Sequence, residues 1–248
     1  MRGDQHVSLS LTTAALLIAP NLSTIDPFTA VVLLFGTFVG SVAPDADAAD
    51  AAIFNGRVSG AKGKRGQVIN GLAVVLPIFG YTIRYLIYYP ISLVFTLLLR
   101  KNYRHRHRGL LHSLPGVGLT TLILSAYLAV LLAWLGLSLA LLPAFGCGFF
   151  GGSVLHLLED ACTPSGVAWL YPLSRRRVSG RVRAQRFFEV RPTIFAAVLA
   201  TAAAGVLIAP FVTDLTTDEL RFIALAAAFT LWLLFLLVSG VRRERRCG

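Results

Sequence analysis

The segment 153–173 carries the side chains whose types and spacing are best suited to chemistry. His156 and Asp160 lie four residues apart, and on a helix this spacing puts both side chains on one face, with Cβ atoms about 6 Å apart. A neutral imidazole and a carboxylate at that separation can share one divalent cation. Pro164 and Gly166 predict that the helix ends directly afterwards. The structural alternative is a hydrogen-bonded His–Asp pair that ties two helix ends together.

Further candidate ligands stand at the ends of other apolar runs. Asp45 and Asp47 alternate in a turn, where they can either solvate the end of a helix or ligate a metal from one face of an extended segment. His107 and His112 lie five residues apart around a glycine, a spacing that suits a loop leading into a helix. His6 stands near the N-terminus and is a weak indication by itself.

The composition that surrounds these residues indicates a helical membrane protein. The chain is 56% hydrophobic and only 14% charged, whereas about a quarter of the residues of a soluble domain are charged. The apolar residues form long blocks instead of amphipathic periods. We therefore predict an all-α, multi-pass membrane protein with about six to eight membrane helices. It would form one domain over residues 1–248, with the motif core in 6–173 and accessory helices in 192–240.

The region 68–99 is the hardest to assign to membrane helices. Its two apolar runs, 68–81 and 86–99, are separated near Gly80 and Arg84, and each is shorter than the ~20 residues that a perpendicular span needs. They can form a re-entrant hairpin, two thin spans or interfacial helices. We predict a short re-entrant or hairpin pair, because an even number of crossings keeps the flanking basic loops on one side of the membrane.

Basic residues set the predicted orientation and partners. The net charge is +11, with 23 Lys and Arg against 12 Asp and Glu. In a soluble protein this excess would suggest nucleic acid, but in a membrane protein it first fixes topology and contacts anionic lipid. The basic segments are 56–66, 100–108, 174–191 and the C-terminal tail. We predict that they, the motif-bearing loops and the C-terminus are cytoplasmic in an inner membrane, with membrane lipid and not nucleic acid as the partner.

Four short segments together resemble one known family. They are His6, Pro44–Asp47, His107–Ser113 and His156–Val167, in this order. The chain is similar to the YdjM-like family of LexA-regulated, inner-membrane-associated, metal-dependent hydrolases, whose pattern has an N-terminal His, a PDxD turn, an HRGxTHS segment and an HxxxD helix. Leu111 replaces the usual threonine of the third motif, which removes a hydroxyl group but no ligand. The family is distantly similar to zinc-dependent phospholipase C, which shares the HxxxD helix.

The resemblance and the ionisable residues together predict a metal-dependent hydrolase. One or more divalent ions, zinc or alternatively manganese or magnesium, would activate water for attack on a phosphoester at the cytoplasmic membrane face. A site that faces the cytoplasm at the lipid boundary would suit an amphiphilic substrate such as a phospholipid. Arg108 and Glu159 are the candidate catalytic residues, with Arg108 placed to hold a phosphate oxygen. The candidate metal ligands are His6, Asp45, Asp47, His107, His112, His156 and Asp160.

Two other functional classes stay open at this point. A membrane transporter places ionisable groups near the bilayer midplane on broken helices, and Arg84 beside the Gly80 interruption favours this class. Most ionisable residues, however, gather at the ends of the apolar runs. A non-catalytic membrane adaptor that binds anionic lipid or nucleic acid explains the basic loops, but it leaves the histidine and aspartate residues without a purpose.

Overall fold

The computed structural model describes residues 1–48, 50–56, 67, 70–71, 73–99, 108–183 and 189–243, and these residues are predominantly α-helical. Two strands of two residues each, β1 (Val178–Ser179) and β2 (Arg242–Arg243), pair antiparallel. A 3₁₀ turn, Ala43–Asp47, follows the second helix and is called the Asp turn below. The helices are α1 Gly3–Ile18, α2 Pro27–Gly40, α3 Leu76–Leu98, α4 Leu114–Trp134, α5 Leu142–Ala161, α6 Arg191–Val212 and α7 Thr217–Val238.

Four of these helices, α3, α4, α6 and α7, are long and apolar enough to cross a membrane. They keep large apolar side chains exposed, such as Phe211 at 85% and Phe222 at 73%, and exposure of this kind suits a lipid environment. The remaining helices α1, α2 and α5 are not among the four, and α2 has only 14 residues. The prediction of a protein with several membrane helices is therefore supported, with four candidate spans among the described residues.

Residues 76–98 form one long helix, so the interruption predicted near Gly80 and Arg84 is wrong; residues 68, 69 and 72 lie outside the described part of the chain. The helix α3 continues past both residues that suggested an interruption. Its middle part, Thr82–Tyr88, is π-helical. Gly80 marks a close contact instead of a turn: a Cβ atom there would lie 3.0 Å from the Phe54 ring. Arg84 has its charge satisfied by backbone carbonyl groups of a neighbouring turn, so the helix does not end there.

Helices α2 and α5 run parallel and make the closest helix contact of the site. It depends on two pairs of glycines spaced four residues apart, Gly36 and Gly40 on α2 and Gly148 and Gly152 on α5. A Cβ atom added at any of these glycines would lie 2.1 to 2.4 Å from a backbone carbonyl oxygen of the other helix. Small residues at this spacing let membrane helices approach closely. The C-terminal ends of α2 and α5 are thereby held side by side.

The C-terminal helices α6 and α7 pack against α1 and complete the bundle. Phe195 of α6 stacks on Phe235 of α7 with 4.3 Å between the ring centroids. Trp232 of α7 donates a hydrogen bond from Nε1 to Thr13 Oγ1 of α1, 3.1 Å away. Helix α1 also contacts α2 and α5, so it connects the C-terminal helices to the helix pair that carries most of the site.

The loop after α5 folds back onto the end of that helix and holds the end of α7 beside it. The Val182 amide donates to the Cys162 carbonyl oxygen at 2.9 Å, and the Arg181 amide donates to the Ser239 carbonyl oxygen at 2.8 Å. The antiparallel pairing of β1 with β2 extends this connection. The described C-terminal residues therefore lie at the same end of the molecule as the end of α5. This agrees with the prediction that the C-terminus and the motif-bearing loops lie on one side of the membrane.

Candidate metal centre

Side chains from four segments meet where α1 begins and α5 ends. One comes from α1, two from the Asp turn, two from the residues before α4 and three from α5. Most are buried, and the openings to the exterior lie at Asp45 and Arg108, whose side chains are 28% and 16% exposed. The set is His6, Asp45, Asp47, Arg108, His112, His156, Glu159 and Asp160.

Local sequence signals explain how two of these segments end. Ser113 caps α4, and its Oγ accepts a hydrogen bond from the Gly116 amide at 3.2 Å, which is the usual way to satisfy a free helix N-terminus. Helix α5 ends at Ala161, as the proline and glycine that follow predict. Thr163 donates from Oγ1 to the Asp160 carbonyl oxygen at 2.7 Å, so the last turn of α5 is closed by a side chain.

Each of the three described histidines of the site has Nδ1 beside an acceptor. His156 Nδ1 lies 2.7 Å from the carbonyl oxygen of Ser41, directly after α2. His6 Nδ1 is in direct contact with Glu159 Oε2, and His112 Nδ1 lies 3.6 Å from Asp47 Oδ2. A histidine whose Nδ1–H is held by an acceptor presents its Nε2 lone pair in the opposite direction, as metal-binding histidines do.

The histidine Nε2 atoms face two carboxylates across a small space. His112 Nε2 lies 3.3 Å from Asp45 Oδ1 and 3.6 Å from Asp160 Oδ2. His156 Nε2 lies 3.7 and 3.8 Å from the same two oxygens, and His6 Nε2 lies 3.7 Å from Asp160 Oδ1. Ligand atoms about 2.1 Å from a tetrahedral ion are roughly 3.4 Å from each other. The observed distances are close to those that one shared ion requires.

Two metal-capable groups can be drawn within the site, and they share His156. One contains His6 and Asp45, the other His112 and Asp160, and in each the donor atoms lie within 4.8 Å of one another. Because Nδ1 of His156 is used by Ser41, only its Nε2 is available as a ligand. The two groups therefore overlap at this atom, which could ligate only one ion.

The Nε2 atom of His156 supports this interpretation over a purely structural His–Asp pair. It is buried and has no hydrogen-bond partner in the part of the chain that the structure describes. A buried polar atom left in this state costs about 1–3 kcal/mol, a cost that a bound ion would remove. The His156 ring also stacks on the His6 ring, with centroids 3.9 Å apart, so the two imidazoles are held in a fixed relation.

The charges around the Asp turn favour a cation at its side. Burial by itself would lower the pKa of His112, but hydrogen bonds and the charges of Asp45 and Asp47 outweigh it and raise this pKa to about 9. Burial would raise the pKa of Asp45, yet the nearby His156 and the hydrogen bond with His112 hold it below its usual range. The Asp turn thus presents the ionised carboxylate of Asp45, which can pair with a protonated imidazole or with a metal ion.

Asp47 and Glu159 stand behind histidines and do not face the shared space. Asp47 Oδ2 accepts from the Arg108 amide at 3.1 Å and lies beside His112. Glu159 contacts His6 with Oε2 and accepts from Ser10 Oγ with Oε1, at 3.2 Å. Carboxylates in such positions orient ligating histidines and increase their basicity. The geometry therefore places the predicted ligand Asp47 and the candidate catalytic residue Glu159 as orienting groups.

Arg108 closes the partly exposed side of the site. Its Nη2 lies 3.0 and 2.9 Å from the two carboxyl oxygens of Asp160, and its Nη1 donates to Thr163 Oγ1 at 3.2 Å. The amino group of Met1 is also 3.0 Å from Asp160 Oδ1. Arg108 adopts a left-handed backbone conformation, with φ of 58°, which is uncommon for a residue with a side chain. The hydrogen bond from its backbone N–H to Asp47 Oδ2 stabilises that conformation.

The structure brings together all the predicted site residues that it describes, and His107 lies outside the described residues. The sequence reasoning missed the Met1 amino group and three further contributors. Ser10 has a detectable signal, since it lies four residues after His6 on the same face of α1. Ser41 acts through its backbone carbonyl, and Arg84 through contacts with the Asp turn; spacing alone reveals neither of these.

Comparison with known proteins agrees with the motif pattern. The model of the YdjM inner membrane protein family matches residues 1–245 of the chain. The chain belongs to the YdjM inner membrane protein family. The match confirms the resemblance based on four motifs, and it extends past them through α6 and α7, so those helices are part of what the family shares. No curated protein and no solved structure matches this YdjM-family chain.

Proposed function

We propose that this YdjM-family protein is a membrane-bound hydrolase that uses one divalent ion, with zinc the first candidate and manganese or magnesium the alternatives. The observation that carries the proposal is the convergence of histidine Nε2 atoms and carboxylate oxygens on one buried space. Histidine and carboxylate ligands suit zinc and manganese. The residues proposed to hold the ion are His6, Asp45, His112, His156 and Asp160.

A bound ion of this kind would lower the pKa of a coordinated water to about 7 and supply hydroxide at neutral pH. Side chains of the protein would hold the ion and bind the substrate. Asp45 would hold the ion at the opening of the site, where its side chain is 28% exposed. The Arg108 guanidinium, beside Asp160, is placed to donate hydrogen bonds to an anionic oxygen of the substrate. This pairing favours a phosphoester, and the membrane setting favours an amphiphilic one such as a phospholipid.

We infer that α1, α2 and α5 also cross the membrane, which makes six crossings with α4, α6 and α7 and keeps the start of α1 and the end of α7 on one side. Helix α3 lies between two segments of that same side, so it is not counted as a single crossing. The end of the molecule that carries the site is proposed to face the cytoplasm. Exposed arginines gather at that end, whereas the opposite turns, 19–26, 135–141 and 213–216, contain no Lys or Arg, and positive loops stay on the cytoplasmic side. The exposed arginines at that end are Arg2, Arg175, Arg176, Arg181, Arg183, Arg242 and Arg243, whereas Arg221, at the start of α7, is exposed at the opposite end and paired with Asp218.

This orientation can be tested with topology reporters. An alkaline phosphatase reporter fused after Arg243 is expected to be inactive in intact cells. The same reporter inserted in the turn at 136 is expected to be active, since this reporter is active only outside the cytoplasm. Activity of the fusion after Arg243 would reverse the proposed orientation. Such a result would leave the metal centre itself unaffected.

The proposed activity is tested on purified protein with a panel of phosphomonoester, phosphodiester and phospholipid substrates. We expect hydrolysis that a chelator abolishes and that zinc or manganese restores. Arg108→Lys is expected to lower turnover about 100-fold while metal content is retained, because lysine loses the two-pronged contact to the developing charge. Arg175→Lys, which changes an exposed arginine of the neighbouring loop, is the matched control and should be neutral. A metal-loaded protein inactive on every substrate would refute the hydrolase proposal.

The transporter alternative has lost the features that favoured it. Gly80 and Arg84 lie within one continuous helix, and both make packing or hydrogen-bond contacts with the segment that follows α2. The ionisable groups of the site gather at one end of the bundle, not at its centre. A hydrolytic metal centre therefore accounts for more of the described contacts than a transport pathway does.

A further inference from the structure

Arg84 of α3 contacts the backbone of the Asp turn. Its Nε donates to the carbonyl oxygen of Ala46 at 2.7 Å, and its Nη2 donates to the carbonyl oxygen of Ala48. The guanidinium carbon lies 4.1 Å from the centroid of the Phe54 ring. One side chain thus spans the C-terminal half of the Asp turn, and an aromatic face covers its charge.

The position of Arg84 in the helix is unusual and needs an explanation. A charged side chain in an apolar membrane helix is costly and marks a functional position by default. Its neighbours Ile83 and Ile87 are fully buried, and Tyr88 is 1% exposed, so α3 is packed against protein here. The surrounding segment is π-helical, a distortion found mostly at functional sites. Arg84 lies within this distorted segment.

The two carbonyl groups that Arg84 holds stand on either side of Asp47. Ala46 separates the two aspartates, so its peptide orientation affects both of their side chains. Among the described residues, the Asp turn itself is closed by the hydrogen bond from the Ala48 amide to the Asp45 carbonyl oxygen, 2.9 Å. A five-residue 3₁₀ turn has poorer hydrogen-bond geometry than an α-helix, and the contact with Arg84 adds two charge-assisted hydrogen bonds to it.

We propose that Arg84 is a positioning residue for the metal centre, which it serves by holding the Asp turn so that Asp45 faces the histidines and Asp47 stays behind His112. This inference rests on the metal-binding part of the proposed function. It assigns a role to α3, which contributes no ligand of its own. It also explains why an arginine occurs in the middle of an otherwise apolar helix.

The test measures zinc affinity of the purified protein by competition with a chromogenic chelator, together with the thermal unfolding of the metal-free protein. Arg84→Gln is expected to weaken zinc binding about tenfold, the lower end of the effect of groups behind a metal ligand. Arg84→Lys should recover part of this loss, because an ammonium can donate to one carbonyl. Arg221→Gln, an arginine of α7 paired with Asp218, is the matched control and should keep wild-type affinity.

The same Arg84→Gln change made in two variant proteins distinguishes positioning of Asp45 from a general loss of stability. In Asp45→Asn protein, the Arg84→Gln change should weaken zinc binding less than about threefold, since the carboxylate that it positions is gone. In Glu159→Gln protein, which alters a different ligand's support, the tenfold effect should persist. Equal zinc affinity of Arg84→Gln and wild type, or the same loss in both backgrounds, would overturn the proposal for Arg84 alone. A wild type without zinc affinity would overturn the metal centre as well.

Discussion

A His156→Ala variant is expected to lose its metal, with an affinity for zinc more than about 100-fold below wild type. His156 belongs to both metal-capable groups, and its Nε2 lies within 3.8 Å of Asp45 and of Asp160. Its removal takes away one ligand and also the imidazole against which His6 is stacked. The carbonyl oxygen of Ser41, at the end of α2, holds His156 Nδ1, so its Nε2 faces the two carboxylates.

The measurement is elemental analysis of purified protein, followed by chelator competition for the residual affinity. Glu159→Gln is the graded comparison: it keeps the shape of the side chain that contacts His6 and should weaken zinc binding about tenfold to 100-fold. The order of affinities is therefore wild type, Glu159→Gln, His156→Ala. A His156→Ala protein with the metal content of wild type would show that the buried cluster is a structural His–Asp network and that the ion binds elsewhere.

A Gly152→Ala variant is expected to be strongly destabilised, while Gly151→Ala is not. A Cβ atom at Gly152 would lie 2.3 Å from the Thr37 carbonyl oxygen of α2, whereas a Cβ atom at Gly151 meets nothing within 4 Å. Overpacking against a backbone costs about 3 kcal/mol, equivalent to a fall in Tm of roughly 6–12 °C for a chain of this size. Gly151→Ala should raise or preserve stability, since alanine favours helix by up to about 1 kcal/mol.

Thermal unfolding in detergent measures this difference, with zinc affinity as a second readout. Because His156 lies one turn after Gly152 and bonds to Ser41 of the opposing segment, separation of α2 from α5 should also weaken zinc binding. Equal Tm values for the two alanine variants would contradict the close helix contact. Two adjacent glycines that carry the same substitution make this comparison independent of helix propensity.

Several features of the site were predictable because they depend on neighbouring residues in one segment. The spacing of His156 and Asp160 placed them on one helix face, the residues after α5 predicted its end, and the resemblance pointed to the right family. Each of these depends on short-range geometry that a regular helix repeats at every turn. The same reasoning indicated from hydropathy alone that the chain has several membrane helices.

Other features were missed because they depend on contacts between distant segments. The sequence around Arg84 predicted an interruption between two membrane helices. In the structure, backbone carbonyl groups of the Asp turn accept hydrogen bonds from Arg84, and α3 continues. Asp47 looked equivalent to Asp45, but only one of them faces the histidine Nε2 atoms. The glycine pairs of α2 and α5 were a detectable signal of close helix packing that the reading of motifs overlooked.

By itself, the sequence determined the helical membrane class, the family and the residue types that can bind a metal, because composition and short-range spacing carry that information. Only the tertiary structure decided which atoms meet. Whether a carboxylate becomes a ligand or an orienting group depends on the crossing of α1, α2, α4 and α5 and on which histidine nitrogen faces it. Those relations arise from packing between helices over a hundred residues apart in the chain, as with His6 and Glu159.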